Sequence, residues 1–121
     1  MPHLALADFQ RRHPQGHLVS AVIMPPRSRP HLHRLRVMMN DLMAQHCGER
    51  PFATALVWHE GLAELRCCFA HQADADLVAG LVGASAAPPP DGWSSHRSFE
   101  LGAHDEVKLA GLLSSEPGDA P

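Results

Sequence analysis

Residues 52–69, FATALVWHEGLAELRCCF, decide the fold. Two apolar runs rich in strand-forming residues flank Glu60-Gly61, and the spacing predicts a hairpin with a two-residue loop. In that register His59 faces Leu62, Trp58 faces Ala63, Leu56 faces Leu65, Thr54 faces Cys67 and Phe52 faces Phe69. The last four pairs share one almost wholly apolar face. A three-residue loop would set Glu64 and Arg66 beside Leu56 and Trp58. A one-residue slip turns a whole face over, so the two-residue register is the one expected. Glu60 is a weak choice for such a loop, because Glu resists positive φ.

The elements around the hairpin follow from periodicity. Upstream, residues 17–24 (HLVSAVIM) read as a buried strand. Pro25, Pro26 and Pro30 stiffen the connection that follows, and Pro30 suits a first helical turn. From there Leu32, Leu35, Met39, Leu42, Met43 and His46 recur at three- and four-residue spacing up to Gly48, the pattern of an amphipathic helix with a C-terminal glycine. Downstream, residues 73–82 read as a second helix with Asp74 and Asp76 near its positive end. Residues 84–92 (ASAAPPPDG) read as a loop, 93–101 as a last strand and 105–113 as a short helix. The order is strand, helix, strand, strand, helix, strand, helix. It predicts an α+β chain of ferredoxin-like split β-α-β-β-α-β form, a two-layer sandwich with an extra C-terminal helix. Residues 1–16 are expected to be an N-terminal lead-in, in which 5–12 could form a short helix. Residues 17–113 are expected to be the single domain, and 114–121 a flexible tail.

Composition narrows the function. The chain has 121 residues, three cysteines, ten histidines and no tyrosine. No apolar run is long enough to span a bilayer, and no signal peptide is visible, so a cytoplasmic protein without membrane contact is expected. The odd, sparse cysteines fit a reducing setting rather than a disulfide scaffold. Net charge is −3, which gives no global attraction to nucleic acid. The charge is uneven: seven arginines face three acids in residues 1–50, whereas residues 51–121 carry ten acids against Arg66, Arg97 and Lys108.

Three groups of residues invite chemistry. Arg27, Arg29, His31, His33, Arg34 and Arg36 crowd the start of the first long helix, where positive charge opposes the helix dipole. Of these, Arg27, Arg29, His31, Arg34 and Arg36 are candidates for an acidic partner or an anion, phosphate or nucleic acid included. The hairpin's second face carries Ala53, Ala55, Val57 and His59 against Leu62, Glu64, Arg66 and Cys68. No helix of a two-layer fold covers that face, so Val57, His59, Leu62 and Arg66 are candidates for contact with a partner or a second copy. A base-stacking RNA surface is not expected, because Phe52, Trp58 and Phe69 point to the other side. Metal ligation has only Cys68 and His71 as weak candidates. Cys67 and Cys68 point to opposite faces, and no C-x-x-C or H-E-x-x-H is present.

No catalytic residues and no cofactor are expected. The chain reads as a small non-catalytic binding or regulatory protein that docks on another protein, as a homodimer, and an inhibitor of a larger machine would look the same. Its alternatives are a histidine-based metal or small-ligand protein, or a minor ferredoxin-like dimeric enzyme.

Overall fold

A computed structural model of the chain describes residues 3–24, 28–101 and 105–114. Every residue pair expected across the hairpin is present: β3 (Phe52–His59) and β4 (Leu62–Phe69) pair antiparallel from Phe52↔Phe69 to His59↔Leu62. The loop reaches this register without straining Glu60. Gly61 alone takes a positive φ, +80°, and no described non-glycine residue does so. That is the demand of a type II turn, which needs positive φ only at its second central residue.

The other elements form where the periodicity puts them, with small shifts of boundary. β2 is His17–Ile23 and α2 is Arg29–Cys47. Ser28 caps α2, its hydroxyl accepting from His31 N, and Gly48 ends it at φ +61°. α3 is Gln72–Val82 and α4 is Asp105–Ser114. Leu32, Leu35, Met39, Leu42 and Met43 of α2 are buried against Val19, Ala21, Ile23, Leu65 and Phe69 of the sheet, with Val78 and Ala79 of α3 and Leu109 of α4. One face of the sheet is therefore a close-packed apolar layer under three helices.

The chain is mixed α+β, but the ferredoxin-like arrangement does not describe it. The sheet runs β1-β3-β4-β2-β6-β5, where β1 is His3–Leu4, β5 is Ser85–Ala86 and β6 is Ser95–Glu100. β6 lies parallel to β2, where the split arrangement requires an antiparallel strand. The cause lies in residues 84–94. After α3 the chain enters the sheet as the outermost strand, β5, and after Ala86 meets Pro88, Pro89 and Pro90. Proline has no N–H to extend a ladder, so the strand stops and the chain doubles back. It returns antiparallel to β5 and inserts between β5 and β2.

The N-terminal residues form the short helix expected within 5–12 and also enter the sheet. The stretch read as a lead-in joins the sheet: β1 pairs parallel with Phe52 and Ala53, and α1 (Leu6–Arg12) lies on the face expected to be bare. Phe9 drives this, buried against Leu18, Ala53 and Cys68 and stacked on Trp93 at a centroid separation of 6.3 Å. Gly16 makes room for it, since a Cβ there would lie 2.9 Å from the Phe9 ring. The expected tail beyond Ser114 lies outside the described residues.

Candidate functional site

Alternation along four strands brings a polar cluster to the part of the second face that α1 leaves open. Ser20 of β2, His59 of β3, Glu64 of β4 and His96 of β6 all point to that face. Glu64 is buried at its centre. Its Oε2 accepts from Ser20 Oγ at 2.5 Å, and its Oε1 accepts from His59 Nε2 at 2.8 Å. Arg66 Nε is 3.2 Å from the same Oε1, off the line of a hydrogen bond, and has no other partner although it is buried. Removal from water disfavours a carboxylate. The bonds from Ser20 and His59 and the charge of Arg66 outweigh that cost, and Glu64 stays below its ordinary pKa.

His96 closes the cluster on the β6 side. Its Nδ1 lies 2.9 Å from the Pro88 carbonyl oxygen, which only accepts, so Nδ1 carries a hydrogen. Its Nε2 lies 2.9 Å from Ser20 Oγ. The chain runs from Pro88 through His96 and Ser20 to Glu64. Ser20 sits between carboxylate and imidazole, but it is buried and lacks the open approach that a nucleophile needs. Ser20 is buried, and its proton points to Glu64, so it orients the cluster.

The cysteines offer no nucleophile either. All three are free and buried. Burial pushes the thiols of Cys47 and Cys68 up to about 12 and that of Cys67 higher still. Cys68, a candidate metal ligand, lies sealed under Phe9, while His71 is exposed at the start of α3. Among the described residues no group of three or more His, Cys, Asp or Glu side chains is placed to hold a metal ion.

The basic residues at the start of α2 make several contacts within the chain. Arg36 crosses to β3, where its Nε donates to Thr54 Oγ1 at 3.1 Å and its Nη2 to the Thr54 carbonyl at 2.8 Å. Arg29 lies 5.8 Å above the Trp58 ring. Arg34 is 3.4 Å from His31 Nδ1, and the Ser28 cap already takes the His31 amide. Arg27 lies outside the described residues. Trp58 is on the helix-covered side, as expected, but overhangs it at the hairpin tip. It is 50% exposed, and Met24 beside the end of β2 is 60% exposed. Val57 and Leu62 are half-buried on the open face.

The hairpin register already places His59, Glu64 and Arg66 together. Ser20 and His96 carry no local signal, since only the pairing of β2 with β4 and β6 brings them in. The Arg50–Asp74 ion pair is likewise invisible in the sequence: two bonds of 2.7 Å join the turn after α2 to a buried acid in α3. No protein-family model matches the chain, and no curated protein and no solved structure is significantly similar to it.

Proposed function

We propose that this chain is a non-catalytic binding protein that acts by docking, and that it does so as a homodimer joined along β3. The observation that carries this is the outer edge of β3. In a two-residue hairpin the closing pair, His59 and Leu62, exchanges backbone bonds, so His59, Val57, Ala55 and Ala53 turn their N–H and C=O groups to β4. Thr54, Leu56 and Trp58 turn theirs outward. Arg36 taking the Thr54 carbonyl agrees with this. β1 covers only Phe52 and Ala53.

Among the described residues, Arg36 on the Thr54 carbonyl is the one group that meets the outward backbone of residues 54–58, TALVW, a stretch with no charge and no proline of its own, the devices by which proteins keep edges apart. A second copy related by a two-fold axis through Leu56 would pair antiparallel with it, Thr54 opposite Trp58. The half-exposed Trp58 with Arg29 over its ring supplies the kind of side chains that anchor interfaces.

Sedimentation velocity over a concentration series tests this. A dimer is expected at about 10 μM, a range typical of modest interfaces. Trp58→Pro removes an outward N–H and the exposed indole but no bond to β4, and should give a folded monomer. Val57→Pro removes an inward N–H and should damage the fold itself. A monomer at every concentration, or an undiminished Trp58→Pro dimer, overturns the proposal. If Trp58→Pro does not fold, amide exchange of the wild type decides: protection of Leu56 and Trp58 must rise with concentration.

A further inference from the structure

We infer that His96 is a pH-dependent latch on the proline loop: the chain of contacts from Pro88 through His96 and Ser20 to Glu64 closes when it binds one proton, and releases residues 87–94 when that proton leaves. The latch lies away from the β3 edge and does not depend on the dimer.

The chain is one hydrogen short. Three contacts link Pro88 O to His96 Nδ1 at 2.9 Å, His96 Nε2 to Ser20 Oγ at 2.9 Å, and Ser20 Oγ to Glu64 Oε2 at 2.5 Å. Each needs a hydrogen between its two heavy atoms. The Pro88 carbonyl brings none. Glu64, held below its ordinary pKa, is ionised at neutral pH and brings none. Ser20 brings one, and a neutral imidazole brings one. Two hydrogens cannot fill three contacts in either tautomer of the ring. One added proton fills all three, and imidazole is the side chain that takes up a proton within about pH 5–8.

The contact that gives way is the outer one. Ser20 and Glu64 are buried, so an unmade bond there strands a polar group away from water. The Pro88 carbonyl is at the exposed end, where water can replace the ring. A neutral ring that donates from Nε2 keeps Ser20 and Glu64 bonded. It then turns a bare Nδ1 to the carbonyl, acceptor against acceptor.

The loop depends on that contact. Pro88, Pro89 and Pro90 have no N–H, so the run can be hydrogen-bonded only through its carbonyls. Among the described residues, the Pro90 carbonyl takes Trp93 N within the loop, and the His96 ring alone ties a carbonyl of the run to the sheet. The His96 carbonyl also takes Ala87 N at 2.9 Å, so one residue holds the loop at two successive positions. Further on, Ser94 N donates to Gly16 O, and Trp93 stacks on Phe9. The loop thus leads from the buried carboxylate to the cover formed by α1.

The charges around the ring are few. Glu64 faces it through Ser20, with His59 of β3 and Arg66 of β4 on the far oxygen, Oε1. Arg66 opposes an added positive charge from beyond the carboxylate, which stands nearer and favours it. Glu100 shares this face of β6, and Asp91 lies in the loop. His17 and Arg97 turn to the other face, to Ser95 and Asp76. Cys68 is sealed under Phe9 with its thiol neutral.

The test is an NMR titration of the isotope-labelled full chain from about pH 8 to about pH 5, with amide exchange corrected at each pH for the rate of an unfolded peptide. The His96 ring nitrogens and the amides of Ala87, Trp93 and Ser94 should follow one curve. Protection at Ala87 should rise at least about tenfold toward the acid end. Ser20→Ala cuts the link to Glu64, so the ring should titrate without the loop following it. His96→Asn keeps a donor near the Nδ1 position and cannot titrate, so Ala87 should be equally protected across the range. This half-exposed position also covers the case in which Ser20→Ala does not fold. The inference is overturned by a ring that gains no proton in this range, by a ring that titrates while the loop amides stay still, or by a loop response undiminished in His96→Asn.

Discussion

The two faces of the sheet are made from the same strands and meet different rules. On one, alternate residues such as Val19, Ala21, Leu65, Cys67 and Phe69 pack under α2, α3 and α4 without a charge among them. On the other, the residues between them include Ser20, Glu64 and Arg66. The second face is itself divided. Where α1 lies on it, Leu18, Ala53 and Cys68 are as buried as anything in the core. Where α1 stops, a buried carboxylate is tolerated because Ser20 and His59 from the two neighbouring strands, and Arg66 from its own, compensate it. A covering helix thus decides whether a strand position must be apolar. Without one, a polar residue can be buried by its neighbours, provided its bonds are made.

The division of the second face can be broken at Phe9. Phe9→Ala should free α1 at a cost of about 3–5 kcal/mol. Cys68 should then react with a thiol reagent about a hundredfold faster or more, and be accelerated more than Cys67, which lies beneath α2 and is exposed only when the whole sheet opens. Equal acceleration of both would mean that α1 does not act as a separate cover.

The contrast between faces predicts the next effect. Leu65→Ala should lower stability in urea unfolding by about 2–5 kcal/mol. Val57→Ala, one strand away on the open face, should cost about 1 kcal/mol or less. Similar costs would erase the distinction.

Glu64→Gln probes the polar centre. A loss of about 1–3 kcal/mol at neutral pH is expected, since Gln cannot accept from Ser20 and His59 as a carboxylate does. The pH dependence has a definite sign. The pKa of Glu64 is lower in the folded chain than its ordinary 4.5, so its contribution is complete above that value and is lost as pH falls through the folded one. Urea midpoints of wild type and variant should therefore converge in acid. A constant gap would show that the charge is not what the cluster uses.

The smallest effects lie in two glycines. Gly61→Ala forces a side chain into φ +80° and should cost about 1 kcal/mol. Gly80→Ala, with nothing within 4 Å of the new Cβ, should stabilise α3 by about 0.5–1 kcal/mol. A reversed order would contradict the turn geometry on which the hairpin register rests.

The sequence by itself determined what depends on neighbours along the chain. Periods of two and of three to four residues, with Gly61 and Gly48 at the ends, set the hairpin register, the face of each residue from Phe52 to Phe69, and the apolar stripe of α2. They also put His59, Glu64 and Arg66 on one surface. Tertiary structure alone decided what depends on distant pairing. The parallel insertion of β6 brought His96 to Ser20, and the docking of Phe9 closed half of a face expected to be bare. It also drew Arg36 away from the helix start to Thr54. Local periodicity fixes which way a side chain points. Which groups wait there is settled only when the chain returns from far away and the free energies of burial and hydrogen bonding are summed over the whole sheet.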